Sequence, residues 1–276
     1  MQLGMELERL RKQRGLTMEQ VVDGLPISAS QYYKVSNGSS AFRRQEQLVM
    51  VLERLGVTDE DDVDFLVDIH RDGLSRGWWS TYSRTMPSGM AFYVGLEFGA
   101  RAMRCWTPTY VLGLLQTEEY MRAQFAAAKP VDETTTENIE RGVEVRMQRQ
   151  RVLTRENPLE LRVILSEASL RNVVGSTAVM RKQYEEIIRL AELDNITIQI
   201  LPWKHETYRC AYDFNLMEFG ESLPTVVQMD TIDGASNVTD KDTEIWRFSR
   251  RFDALRDGAL PVGRTPKFLH DLAREI

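Results

Sequence analysis

The chain has 276 residues, a net charge of −6 and 42% hydrophobic residues, including five tryptophans. A typical domain has about 100–200 residues, so two domains with sizeable cores are expected. No apolar run reaches the about 18–20 residues that cross a bilayer, and the N-terminal segment MQLGMELERLRKQRG has no signal-peptide core. We therefore expect a cytoplasmic protein without a membrane partner.

The charge is distributed unevenly along the chain. Residues 1–57 carry a net charge of +2, and the remainder carries −8. A small basic unit joined to an acidic body fits a nucleic-acid-binding protein whose second domain has another role. Because the basic excess is modest, the charge pattern alone does not decide the function.

Four helices are predicted within residues 1–57. The first has an apolar stripe of three leucines and ends at Gly15. Thr17 caps the second helix, MEQVVDG, and Ser28 caps the third, ASQYYKV. Gly24 and Pro26 mark a tight turn between them, since proline cannot continue a helix. The segment QEQLVMVLERLGV forms the fourth helix.

The stretch from Met18 to Gly38 resembles, without gaps, the core of the Xre-type regulators, the lambda repressor/Cro-like family. The pairs Val21-Val22, Ile27-Ser28 and Lys34-Val35 stand where that family has Leu-Ala, Val-Ser and Arg-Ile. In these regulators the second helix of the motif enters the major groove. The resemblance therefore implies that the helix capped by Ser28 binds double-stranded DNA.

The resemblance also implies roles for individual residues. Gln31 and Lys34 suit adenine and guanine edges chemically. The candidate DNA-binding residues are Ala29, Ser30, Gln31 and Lys34 near base edges, Ser28, Asn37, Arg43 and Arg44 near phosphates, and Thr17 at the start of the preceding helix.

Three positions depart from the family pattern. Met18 replaces a polar residue, often Gln, that holds a phosphate, and Ser36 replaces an acidic residue. Tyr32 replaces a small aliphatic core residue, which requires either an adapted core or a displaced helix. The alternative is therefore a bundle that no longer binds DNA and only mediates dimers.

A helical acidic linker is predicted over residues 58–77. The acidic cluster from Asp59 to Asp62 suits a helix N-terminus, where negative charge interacts favourably with the helix dipole. Gly73 and Gly77 mark its end, which places the domain boundary near residue 75. The sequence thus divides into a DNA-binding domain (1–57), this linker (58–77) and a second domain (78–276).

Strand-like and helix-like segments alternate from residue 78 onward. Four strands are predicted in LELRVILS, ITIQILPW, DFNLMEF and TVVQMDTID, and an extended piece with a turn at Gly113 in RAMRCWTPTYVLGLLQ. Helices are predicted in TEEYMRAQFAAA, ENIERGVEVRMQRQRVL, STAVMRKQYEEIIRLAEL, Asp240–Leu255 and Pro266–Ile276. In the second of these, Ile139, Val143, Met147 and Val152 are expected to face inward. The predicted fold class is α+β, with an all-α N-terminal bundle followed by a mixed domain around one sheet.

This second part also resembles a known group. The segments GWWSTY, GLLQTEEYMRA, RMQRQRVL, VMRKQYEEIIRLAELDNITIQILPW and DFNLMEF are similar, in order, to an uncharacterised domain that follows an Xre-type helix-turn-helix in many bacterial regulators. Leu112 stands where that group has Pro. Such genes are commonly paired with one for a small acidic protein, and the pair is regarded as antitoxin-like or developmental control. The resemblance implies no ligand and no catalytic residue.

Two common nucleotide-binding motifs are lacking. The sequence has no P-loop or GxGxxG pattern, and its three histidines are scattered. Cys105 and Cys210 have no CxxC spacing and are interpreted as reduced core thiols, with a disulfide or metal site as the alternative. Glu97 and Glu167 stand beside apolar residues and are interpreted as buried structural acids, with catalysis as the alternative. We expect no enzymatic activity, no cofactor and no metal.

Aromatic residues are the candidate ligand- or partner-binding set of the second domain. Rigid aromatic side chains often line small-molecule pockets or anchor protein interfaces, although an ordinary core uses them too. The candidates are Trp78, Trp79, Tyr82, Trp106, Trp203, Tyr208 and Tyr212, with Phe214 beside them.

The sequence therefore predicts a sequence-specific DNA-binding transcriptional regulator that acts as a homodimer. Its C-terminal domain is expected to bind a small acidic protein encoded nearby or a small-molecule effector. The alternative is an antitoxin-like protein-binding module whose helix-turn-helix only dimerises.

Overall fold

The computed structural model describes residues 2–36, 41–42, 44–60, 62–64, 66–67, 70, 86, 90–220, 224–230 and 236–276. The chain divides into two compact units, Met1–Thr81 and Tyr82–Ile276. The boundary predicted near residue 75 lies outside the described residues, so its position stays a prediction.

The first unit contains the four helices that the sequence predicts. They are α1 (Gln2–Gln13), α2 (Met18–Val22), α3 (Ala29–Ser36) and α4 (Gln45–Arg54). Further helical residues begin at Glu60, and the Asp59 carboxylate accepts a hydrogen bond from the Asp62 backbone N–H at 3.2 Å. The acidic cluster therefore does lie at a helix start. Asn37 and Gly38, which follow α3 in the sequence, lie outside the described residues.

Tyr32 lies in the core of this bundle. Its side chain is fully buried, together with those of Leu7, Phe42 and Leu48. The hydroxyl donates a hydrogen bond to the backbone carbonyl of Leu7 at 3.2 Å, which joins α3 to α1. The core has therefore adapted to the large side chain, because the phenol has both an apolar surrounding for its ring and an acceptor for its hydroxyl.

Helices α1 and α3 also approach each other closely at a glycine. A Cβ atom on Gly4 would lie 2.6 Å from the carbonyl oxygens of Val35 and Ser36. These contacts are with backbone, which cannot move aside as a flexible side chain can. The absence of a side chain at Gly4 therefore permits the observed spacing of the two helices.

The second unit is built around one six-stranded mixed sheet, which confirms the α+β prediction. The strand order is β3-β2-β1-β4-β5-β6; β1, β2 and β3 run parallel, and β1, β4, β5 and β6 pair antiparallel. Its elements are α5 (Met90–Gly99), β1 (Ala102–Thr107), α6 (Glu118–Ala128), α7 (Thr136–Arg149), β2 (Glu160–Ser166), α8 (Glu167–Arg171), α9 (Thr177–Leu190), β3 (Ile196–Leu201), β4 (Phe214–Glu218), β5 (Val226–Asp230), β6 (Ser236–Thr239), α10 (Asp242–Gly258) and α11 (Thr265–Glu275), with 3-10 turns at Gly113–Leu115, Gln150–Leu153 and Val262–Arg264.

The chain order explains the mixture of strand directions. Parallel neighbours require a long crossover, and α6 and α7 connect β1 to β2 while α8 and α9 connect β2 to β3. Helix α10 covers one sheet face, where Phe248 and Phe252 pack with Trp106 and Phe214. The aromatic residues of β1 and β4 thus form the core beneath α10.

Three elements of this unit were not predicted, and one predicted orientation is wrong. Helix α5 is apolar on nearly every side and gives no periodic signal, α8 is five residues long, and the four residues of β6 contain a single aliphatic. Met147 is 38% exposed, although it was expected to face inward. Met147 follows Ile139 by eight residues, over which an α-helix makes two full turns and about 80° more. The Met147 side chain therefore no longer points inward. Val152 is buried as predicted, but within a 3-10 turn.

A buried ion pair joins α5 to α7. Arg149 donates two hydrogen bonds of 2.7 Å to Glu97, and both side chains are almost fully buried. The guanidinium also lies over the Tyr93 ring, 5.0 Å from its centroid. Glu167 is likewise buried and accepts from Arg171 at 2.6 Å and from the Trp203 backbone N–H at 2.9 Å. Both glutamates are thus buried acids, as predicted.

The cysteines match their interpretation as core thiols. Cys105 and Cys210 are buried and free. Burial, and to a smaller extent the nearby carboxylate of Glu97, raises the pKa of the Cys105 thiol above its usual range. Within the described ranges, no group of three His, Cys, Asp or Glu side chains could hold a metal ion. None of the helices described is long and apolar enough to span a bilayer.

The buried pair leads to a stability prediction. Glu97→Gln should lower the free energy of unfolding by about 3–5 kcal/mol, because it leaves the Arg149 cation buried without a counter-ion. Urea unfolding followed by circular dichroism measures the change. The control is Glu137→Gln, which breaks an exposed pair with Arg141; exposed pairs contribute little. Equal losses in the two variants would contradict the importance of burial.

Candidate nucleic-acid interface

Side-chain caps define the starts of α2 and α3. The Thr17 hydroxyl accepts from the Gln20 backbone N–H at 3.2 Å, and the Gln20 side chain accepts in return from the Thr17 N–H at 2.8 Å. The Ser28 hydroxyl accepts from the Gln31 N–H at 3.1 Å. Both residues therefore act as the caps that the sequence predicts, because each satisfies an N–H that has no partner within its helix.

Helix α4 braces the turn between α2 and α3. The Gln47 amide donates to the carbonyl of Pro26 at 3.3 Å, and Arg54 donates to the carbonyl of Asp23 at 2.7 Å. Within the turn, Gly24 has a φ of +72°, which glycine adopts without a steric penalty. The orientation of α3 relative to α2 is thus held from outside the two-helix motif.

Helix α3 has one buried and one exposed face. Tyr32, Val35 and Ser36 are buried, whereas Ser30 and Lys34 point away from the bundle. Burial raises the pKa of Tyr32 above its usual range, so its hydroxyl stays protonated as the donor to Leu7. This contact fixes the rotation of α3, and the rotation decides which residues are exposed.

The predicted base-contacting residues differ in their exposure. Ser30 and Lys34 are exposed, Gln31 is partly exposed, and Ala29 packs partly against the core. Lys34 has no ion pair within the part of the chain that the structure describes. An exposed ammonium without a local counter-ion is available to an anionic ligand, so the part of the α3 surface formed by Ser30 and Lys34 is polar and positively charged.

Of the four predicted phosphate-contacting residues, the two that the structure describes, Ser28 and Arg44, lie at helix starts. Arg44 is exposed and directly precedes α4, where it borders an open depression between the turn and this helix. N–H groups at a helix N-terminus favour anions. The residues lining the depression are Pro26, Arg44, Gln45, Glu46, Gln47 and Met50. Asn37 and Arg43 lie outside the described residues.

The aromatic candidates of the second unit do not form one group. Trp106 is buried, and its indole N–H donates to the carbonyl of Cys210 at 3.0 Å, so it belongs to the core together with Phe214. Trp203, Tyr208 and Tyr212 are exposed on the segment between β3 and β4. Trp78, Trp79 and Tyr82 lie outside the described residues.

Arginines lie over several exposed rings near α10. Trp246 is 62% exposed, with the Arg250 guanidinium 4.9 Å from its ring centroid. Arg251 lies 5.6 Å from the centroid of Tyr212, and its charge also acts on the neighbouring Tyr208. We call these five residues the aromatic–arginine surface. Neither arginine has a carboxylate partner among the residues described, and this composition is typical of protein interfaces.

Among the described residues, the two most exposed aromatics that the sequence analysis missed lie on α3 and α10. Tyr33 on α3 is 54% exposed, and Trp246 on α10 is 62% exposed. A helical wheel carries the signal in both cases. Tyr33 falls outside the stripe of Tyr32 and Val35, and Trp246 falls outside the inward stripe of α10.

Comparisons with known proteins agree with this division of the chain. Residues 2–66 match the model of a helix-turn-helix domain. Residues 90–271 match the model of a domain of unknown function (DUF5753). No curated protein matches the chain. The second match covers more than half of the sequence, so the chain belongs to the DUF5753 family and carries a helix-turn-helix domain at its N-terminus.

Proposed function

We propose that the chain is a sequence-specific DNA-binding transcriptional regulator of the Xre type, with α3 as the recognition helix. The observation that carries the proposal is the exposed face of α3, where Ser30 and Lys34 point outward from a helix whose rotation Tyr32 fixes. Recognition helices of helix-turn-helix proteins lie in the major groove and contact bases through their N-terminal residues.

The proposed interface separates base contacts from phosphate contacts. Lys34 reaches guanine acceptors and Gln31 reaches adenine, each contact contributing about 1–3 kcal/mol of discrimination. Arg44 and the N-terminus of α4 bind the phosphate backbone beside the groove. Two protomers occupy repeated or palindromic half-sites, since helix-turn-helix proteins commonly bind as dimers.

We propose further that the second unit binds a small acidic protein or a small effector. Support comes from the aromatic–arginine surface: Trp, Tyr and Arg dominate the residues that contribute most to binding in protein interfaces. An acidic partner would complement Arg250 and Arg251, which lack carboxylate partners among the described residues. Trp203, beneath Arg171 at 5.3 Å, offers another exposed ring.

The same surface favours a second candidate function. In an antitoxin-like module the C-terminal unit would sequester its partner, while the helical bundle would only dimerise. Salt-dependent retention of the full chain on its own upstream DNA distinguishes the two, measured with and without the neighbouring gene product. If the chain is retained on DNA under neither condition, the antitoxin-like module is favoured.

For the interface on α3 and α4, two kinds of variant should behave differently. Gln31→Ala should flatten the preference at one base-pair position and leave the salt dependence of affinity nearly unchanged, and Lys34→Ala should flatten the preference at another position. Arg44→Ala should weaken binding to all sequences alike and reduce the slope of log affinity against log salt by about one unit. Titrations of labelled duplexes at several salt concentrations measure both.

Tyr32→Ala is the control for this experiment. As a buried residue it should lower the free energy of unfolding by about 3–5 kcal/mol before it changes specificity. If Gln31→Ala and Lys34→Ala both bind the native site as the unchanged chain does, α3 is not the recognition helix, and the dimerisation function is favoured.

For the second unit, Trp246→Ala should weaken binding of the purified neighbouring gene product at least tenfold, as expected for an aromatic residue that contributes strongly to binding. Calorimetry with the full-length chain measures the affinity. The matched control is Val131→Ala, which removes an exposed apolar side chain elsewhere on the unit. Equal affinities in both variants would remove the aromatic–arginine surface from the proposal.

A further inference from the structure

Tyr33 is the most exposed large apolar side chain of the first unit among the residues described. It is 54% exposed, and its hydroxyl has no hydrogen-bond partner in the described part of the chain. Its neighbours in sequence, Tyr32 and Lys34, face the core and the solvent respectively. In the part of the chain that the structure describes, no hydrogen bond, ion pair or ring contact holds the Tyr33 side chain.

Tyr33 and Gln31 occupy opposite flanks of α3. Residues two positions apart in an α-helix are rotated by about 200° around the helix axis. The side chains of Gln31 and Tyr33 therefore point about 160° apart. Ser30, three residues before Tyr33, lies on the same side as the ring, and Lys34 lies on the same side as Gln31. The exposed surface of α3 therefore has a hydrogen-bonding flank and an aromatic flank.

Both flanks of a recognition helix meet DNA. An α-helix with its side chains is about 10–12 Å wide, and the major groove is about 12 Å wide, so the helix fills the groove. The Cα–Cβ bond of a helical residue tilts toward the helix N-terminus, which is the end that contacts base edges. The ring of Tyr33 therefore leans toward Ser30 and not toward the outer end of the helix.

The 5-methyl group of thymine is the apolar feature that base pairs present in the major groove. The small side chain of Ser30 leaves room for a base beside the ring of Tyr33. Resting on the proposed binding of DNA by α3, we propose that Tyr33 packs its ring against a thymine methyl and specifies a base pair different from that contacted by Gln31. Tyr33 is then a specificity-determining residue on the aromatic flank.

The test begins with a random-sequence duplex library. Full-length chain selects its preferred site, and the selection is repeated with Tyr33→Ala. The variant should lose a preference for thymine at one position of each half-site and keep the preferences set by Gln31 and Lys34. An unchanged unfolding midpoint is expected for Tyr33→Ala, because the side chain is exposed; a lost preference with an unchanged midpoint supports the proposal.

Deoxyuridine then isolates the methyl group. Replacing that thymine by deoxyuridine should weaken binding of the unchanged chain about fourfold, the effect of removing one buried methyl group. Tyr33→Ala should be insensitive to the replacement, Tyr33→Phe should respond as the unchanged chain does, and Gln31→Ala, the matched control, should keep its sensitivity.

Two results overturn the inference while leaving the proposed function intact. One is an unchanged chain that selects a site but tolerates deoxyuridine at every thymine. The other is Tyr33→Phe weakening all sequences alike, which would assign the hydroxyl to a phosphate. If the unchanged chain selects no sequence, the proposed function itself fails, and the inference fails with it.

Discussion

Burial of Tyr32 is the constraint on which the arrangement of the helix-turn-helix unit depends. Its ring occupies the space between α1 and α3, and its hydroxyl needs the carbonyl of Leu7 as an acceptor. Both requirements are met at one rotation of α3, and that rotation exposes Ser30 and Lys34 together. Because Gly4 lets α1 approach the end of α3, the hydrogen bond forms without separating the helices. Core packing thus determines which chemistry the bundle presents.

In the second unit, polar side chains hold the segment that precedes α6 in place. The Gln183 amide donates to the carbonyl of Leu115 at 2.7 Å, and its oxygen accepts from the Thr117 N–H at 2.8 Å. Gln150 donates to the carbonyl of Gln116 at 2.6 Å. A segment outside regular structure needs partners for its backbone groups, and side chains supply them here. The nearby Glu97–Arg149 pair fixes α5 and α7 in the same way. Its two charged side chains can be buried only while they bond to each other, which holds the two helices in one arrangement.

Much of the secondary structure could be predicted from the sequence, because it depends on local signals. Caps at Thr17 and Ser28 and strongly periodic or β-branched segments marked most helices and strands correctly. Two of the three missed elements share a cause, since α5 and β6 lack the alternation between apolar and polar residues on which such predictions rest. The interface was partly predictable as well. Gln31 and Lys34 could be identified as candidates from their side-chain chemistry. The exposure of Tyr33 could not be predicted, because tyrosines in short helices are commonly part of a core.

What the sequence by itself determined is the set of local choices: where helices begin, which face of each is apolar, and the presence of a helix-turn-helix motif before an α+β domain. Only the tertiary structure decided which of two adjacent tyrosines is buried and which is exposed. It also separated Trp106, in the core, from Trp203 and Trp246, which meet solvent. The physical reason is that burial of a side chain depends on the space left between its own helix or strand and the elements that pack against it. The partners of Tyr32 in α1 are 25 positions away in the chain, and no pattern within α3 contains them.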